Sequence, residues 1–129
     1  MNTLKEQPAA AMTDLSKTFF RAIQEKNLSF IKQNTQQGFI FSSPRGALMN
    51  KETFINNFIL NSELKFDIFQ PSDEQVVISD NASVVNCLLQ VKLTDQTGFW
   101  ERVTLTIVNE ENKWLVLAWH ATFIPEKNK

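Results

Sequence analysis

One cysteine and one histidine in 129 residues remove several chemistries at the outset. Cys87 has no partner for an intrachain disulfide and cannot anchor a multi-cysteine metal site. Within V-V-N-C-L-L it reads as a buried, reduced thiol. His120 is the only imidazole, so a metal would need scattered carboxylates for its remaining ligands, and neither a metal site nor a cofactor is expected. An excess of one charge is also missing. The 13 basic and 14 acidic residues leave the chain near neutrality, which gives phosphate backbones and anionic membranes nothing to hold. No apolar run approaches the ~20 residues that span a bilayer. The run Ala9 to Met12, preceded by Lys5 and Glu6, is too brief and too weakly apolar for a signal-peptide core. The expectation is a cytoplasmic protein with no nucleic-acid or membrane partner.

The chain fits one domain, burying roughly two-thirds of the surface exposed when unfolded. Met1 to Ala11 lack a period and read as a flexible lead, residues 12–125 form the domain, and Glu126 to Lys129 are a tail. Met12, Leu15, Phe19, Ala22 and Ile23 fall at helical spacing, with Thr13 or Asp14 available to cap the first turn. Asn27 ends this helix or caps a second, shorter one with Leu28 and Ile31 inward. Phe39 and Phe41 lie in a short strand that closes at the turn-forming cluster Ser43, Pro44, Arg45 and Gly46, and a loop is predicted beyond it. Asn50 and Glu52 suit the start of a third helix with Phe54, Ile55, Phe58 and Ile59 on its apolar face, running to about Asn61.

Strands fill the remainder. Leu64, Phe66 and Ile68 alternate, Pro71 interrupts, and Val76 to Ile78 resume before the Asp80-Asn81 turn signal. Ser83 to Leu93 and Phe99 to Val108 follow. The short polar segments Asp95 to Gly98 and Asn109 to Asn112 suit hairpins between antiparallel neighbours. Helices followed by a meander predict an α+β domain in which three N-terminal helices cover the inner face of a curved, mostly antiparallel sheet. The last strand, Lys113 to Ile124, is aromatic-rich and almost uncharged. Alternation sets Trp114, Val116, Ala118, His120 and Thr122 against Leu115, Leu117, Trp119, Ala121 and Phe123. The second set is wholly apolar and reads as packing, while the first sets the lone histidine toward a pocket. Apolar residues on both faces of the last two strands predict cover for the outer face, most simply a homodimer through the sheet.

The helical opening L-S-K-T-F-F-R-A-I-Q-E-K-N, the phrase S-P-R-G-A-L-M-N-K-E-T-F-I, the hairpin R-V-T-L-T-I-V-N-E-E-N-K-W and the ending W-L-V-L-A-W-H-A-T occur in an order that resembles the nuclear transport factor 2-like superfamily. The likeness runs from about Thr13 to Phe123 and is strongest to its SnoaL-like and kinase-association-domain-like members. It implies a cone-shaped α+β barrel, usually dimeric, with a pocket between the helices and the concave sheet. It does not imply one function, because members range from isomerases and dehydratases to assembly hubs.

Under this resemblance His120 faces the pocket as a candidate catalytic acid or base. Ala118 stands where many members carry a second histidine. Arg102, on the same strand face as Trp100, resembles an arginine that relatives direct into the cavity, where it could grip a carboxylate in a bidentate way. Trp100 and Asn86 are candidate ligand contacts, Asn86 through hydrogen bonds, and Phe19, Phe54 and Phe58 could wall the pocket. The alternatives are a core histidine, a surface arginine paired with an acid on a neighbouring strand, and phenylalanines that fill the core. Two active sites of relatives do not transfer. Ketosteroid isomerisation commonly uses a tyrosine donor, and this chain has no tyrosine. Epoxide hydrolysis needs carboxylates flanking an arginine, and Glu101 falls on the opposite face from Arg102. Three readings stand: a homodimeric binder of a small apolar or carboxylate-bearing molecule, a small isomerase, lyase or cyclase using His120, and a non-catalytic assembly module.

Overall fold

Helix-forming residues open the chain and β-branched residues close it, and the computed structural model, which describes residues 3–125 and 127, follows that division. Helix α1 (Thr3–Gln24) begins well before Met12. Ala9, Ala10 and Ala11 are strong helix formers and carry the helix into the segment expected to be a lead. Met1, Asn2 and the expected tail, apart from residue 127, lie outside the described residues. The inner stripe of α1 buries Met12, Phe19, Phe20 and Ile23. Asn27 caps α2 (Leu28–Asn34) by accepting the Phe30 N–H at 3.1 Å. Asn50 does the same for α3 (Lys51–Phe54), accepting the Thr53 N–H at 2.8 Å. The third helix then widens into a π-helical turn over Ile55–Ile59.

Six strands follow as β1 (Thr35–Ser42), β2 (Leu48–Asn50), β3 (Phe66–Ser79), β4 (Ala82–Leu93), β5 (Phe99–Glu110) and β6 (Lys113–Phe123). They form one open, mixed sheet in the order β2-β1-β6-β5-β4-β3, parallel only between β1 and β6. The predicted loop after Gly46 is the short strand β2, which pairs back on β1. Gly46 takes a φ of 90° in the turn between them, a conformation that favours glycine. Pro71 does not interrupt β3. The strand lies at the sheet edge, where a missing N–H is tolerated, and a bulge between Ser72 and Gln75, with Asp73 at φ 56°, absorbs the irregularity.

The helices cover one face of this sheet. Val85, Cys87 and Leu89 of β4, Val103, Leu105 and Ile107 of β5, and Val116, Trp119 and Ala121 of β6 are all buried on it. Pairing along β5 and β6 steps from Thr106–Ala118 to Ile107–Val116, so Leu117 is an extra residue. That bulge breaks the expected alternation of β6. Val116 and Trp119 share the covered face, while Ala118, His120 and Thr122 pair with Thr106, Thr104 and Arg102 on the open one.

Candidate functional site

Trp119 is the centre of the aromatic core because β6 is an interior strand and its covered face looks at α1 and α3. Its ring lies 4.1 Å from that of Phe41, 5.4 Å from Phe20, and 5.9 Å from each of Phe19, Phe54 and Phe58. Toward one end of the sheet this packing is incomplete. Phe41, Phe58, Phe66, Phe69 and Trp119 border a cavity of about 170 Å³.

The same cavity contains a single charged-type side chain, Glu101 of β5. It stands in register with Leu89 on one side and Phe123 on the other, and is only 6% exposed. Burial raises its carboxyl pKa to about 7, since an apolar site disfavours the charged form. Among the described residues the carboxyl group has no ion-pair or hydrogen-bond partner. The indole N–H of Trp119 is also buried without a partner. The cavity therefore combines a ring-sized apolar space, bordered by the Trp119 ring, with a carboxyl group able to give or take a proton near neutral pH.

The expected site residues divide between the two sides of the sheet. Phe58 borders the cavity. Phe19 and Phe54 are on the same side but fully buried against Trp119, where they fill the core. His120, Arg102, Trp100 and Asn86 lie on the opposite, uncovered face. The single pocket expected to join them to the phenylalanines is not formed. His120 is exposed and sits beside Thr104. Arg102 donates through Nη1 to Asn86 Oδ1 at 3.0 Å, and Asn86 donates through Nδ2 to Thr104 Oγ1 at 3.0 Å, so its partner is an amide and not an acid. The Lys127 ammonium stands 4.7 Å above the Trp100 ring. The physical reason is that the cavity and the core share one sheet face, so the polar set of the alternating pattern is the solvent set.

Glu101 was not among the expected site residues, although a signal for it exists. It is the one acid on a strand face otherwise made of Phe99, Val103, Leu105 and Ile107, and an unpaired carboxyl in an apolar row marks either a cavity or an energetic penalty. Cys87 behaves as the sequence implies. It is fully buried, and desolvation, with a smaller contribution from Glu74, pushes its thiol up to about 12 against the opposing effect of Arg102. Among the described residues no cluster of histidine, cysteine and carboxylates could hold a metal ion, and no helix is long and apolar enough to cross a membrane.

No protein-family model matches this chain, and no curated protein matches its sequence. Solved structures do match its fold. An NTF2-like (nuclear transport factor 2-like) protein from Cytophaga hutchinsonii superposes with a TM-score of 0.82 at 21% identity, covering 89% of this chain and 97% of its own. A proposed dehydratase of the NTF2-like family from Streptomyces avermitilis reaches 0.82 at 10% identity, over 93% and 98% of the two chains. A proposed calcium/calmodulin-dependent kinase II association domain from Exiguobacterium sibiricum reaches 0.79 at 12% identity, over 88% and 90%. The chain thus has the NTF2-like fold, described for a similar Caulobacter vibrioides protein as cystatin-like. These identities establish the fold and leave the activity to the site.

Proposed function

We propose that this chain is a small-molecule-binding domain whose ligand enters the aromatic cavity and meets Glu101 and Trp119. The observation that carries the reading is Glu101 at the wall of a cavity, a residue only 6% exposed whose carboxyl has no protein partner among the described residues. Burying a polar group without a hydrogen bond costs about 1–3 kcal/mol, and a ligand that supplies the missing partner offsets that cost. The space of about 170 Å³ is close to the roughly 150 Å³ that accepts a benzene ring in an apolar core. The inserted part of the ligand is therefore one ring, or a branched chain of that size, with a carbonyl or hydroxyl oxygen. Titrating ring-sized ketones and phenols against tryptophan fluorescence tests this. Saturable binding that Glu101→Ala alters supports it, and a cavity that accepts none of them at millimolar concentration refutes it.

A catalytic reading is favoured by one further observation, the carboxyl pKa of about 7. A general base is most effective when its pKa lies near the working pH. In this reading Glu101, and not the exposed His120, takes a proton from the carbon next to a bound carbonyl, the chemistry of an isomerase or lyase. Deuterium uptake at that carbon in heavy water, present in the wild type and absent in Glu101→Gln, would support it. Uptake that is unchanged in the variant would remove it.

The second part of the proposal is a homodimer through the open sheet face. One register row crosses five strands there as Ile40, Ala118, Thr106, Val84 and Val77. Ile40, Val84 and Val77 are 44%, 38% and 66% exposed, and a row of this kind, apolar except for Thr106, is suited to face-to-face packing of a second copy. Light scattering should give a dimeric mass that falls to monomer in Val84→Asp with the circular dichroism unchanged. A monomeric wild type sinks this part alone.

A further inference from the structure

The cavity has an antechamber of different chemistry. A larger open cleft of about 770 Å³ shares Leu93 and Phe99 with it, so the two are contiguous. The cleft is contributed by the β1–β2 turn, the β4–β5 hairpin and the end of β6, through Arg45, Gln96, Thr97, Phe123 and Pro125. Of these, Arg45 alone is charged. Its guanidinium lies 5.4 Å from the centre of the Phe123 ring, and Phe123 meets Phe99 edge to face at 5.5 Å. Phe123 is also the register partner of Glu101. Arg45 thus packs on the residue that pairs with Glu101, in the adjoining cleft.

From this arrangement we infer that the ligand is a small amphipathic acid, whose ring lies in the inner cavity and whose carboxylate remains in the antechamber on Arg45. The inference rests on the reading of the cavity as a ligand site and adds the charge and orientation of the ligand. Arg45 has no carboxylate partner among the described residues, so its five donors are available to an incoming anion. Contact with the Phe123 ring face restrains the guanidinium, which lowers the ordering cost of gripping a carboxylate. The inner site has the opposite preference. Its aromatic wall and unpaired Glu101 reject an anion and accept a neutral ring. A fully apolar ligand would leave Arg45 unused, and a cationic one would meet it in passing. The carboxylate-binding arginine sought in the sequence is Arg45 of the turn, and not Arg102 of the outer sheet face.

The test uses 4-hydroxyphenylacetate, whose ring hydroxyl is the partner Glu101 lacks, and its neutral isostere 4-hydroxyphenylacetamide, titrated at about pH 6, where Glu101 is mostly neutral. Binding is followed by the NMR signal of the Trp119 indole N–H, identified as the one missing in Trp119→Phe. Both compounds are expected to move that signal. The hydroxyphenylacetate should bind about tenfold tighter, the order of one partly exposed charge-assisted contact, and Arg45→Gln should remove this advantage while leaving the amide unchanged. Equal affinities in the wild type, or an acid preference that survives Arg45→Gln, overturn the anionic end and leave the cavity reading intact. If neither compound moves the Trp119 signal, the inference and the cavity reading fall together.

Discussion

Replacing Glu101 by glutamine should make the protein more stable at alkaline pH and leave it little changed in acid. The carboxyl has a pKa of about 7 in the folded chain against 4.5 when free, so the folded state holds its proton more tightly than the unfolded state. A group of this kind contributes stability that is fully present below the unfolded pKa and is lost as pH rises through the folded one. A shift of this size corresponds to about 3 kcal/mol. The loss is about 1 kcal/mol near pH 5 and reaches the full value only above about pH 8, where the folded carboxylate is ionised and buried without a partner. Glutamine has nearly the same shape and no titration. Urea unfolding of both proteins at about pH 5 and pH 8.5 should therefore show the variant gaining roughly 2 kcal/mol between the two, a difference in which the other carboxylates cancel. Equal gaps at both values would refute the assignment of the raised pKa to a desolvated Glu101. A ligand that donates to the carboxylate should shrink the gap, because it supplies the missing partner.

Three further outcomes follow from the packing. Trp119→Ala removes the ring that six phenylalanines touch and should cost about 3–5 kcal/mol, whereas Trp119→Phe should cost clearly less. Similar denaturation midpoints for the two would show that the cluster does not depend on the indole. Gly46→Ala should destabilise by about 1 kcal/mol through backbone strain alone, because φ is 90° and an added Cβ meets nothing within 4 Å. A neutral or stabilising result in thermal melts would contradict the turn geometry. Cys87, fully buried with its thiol pushed up to about 12, should react with a thiol reagent only as fast as the protein opens. Rapid labelling of native protein would place the thiol elsewhere.

Local chemistry carried most of the fold. Asn27 and Asn50 announce their helices because a side-chain oxygen at that position satisfies a helical N–H, and both do so in the structure. The hairpins after β3, β4 and β5 were readable because Asp80, Asp95, Glu111 and Asn112 fall in polar breaks and take positive φ there. The two errors in the sheet came from effects that sequence does not encode locally. Leu48 to Asn50 became a strand because β1 offered a free edge to pair with. Pro71 stayed within a strand because that strand is itself an edge.

The site was harder to read because alternation sorts a strand into two sets without saying which set is enclosed. In β6 the set containing His120 looked like the functional one, since it mixed a titratable group with apolar neighbours. The enclosed set is the other, and the bulge at Leu117 means that the strand does not even keep two fixed sets along its length. What identifies the covered face is β5, which has no bulge within its run from Glu101 to Thr106 against β6. There Val103, Leu105 and Ile107 are buried, and Glu101 shares their parity. A polar residue on the solvent face of a sheet needs no explanation. An acid in an apolar row needs a partner, and when the described residues supply none, the cavity beside it is the place where one is to be sought.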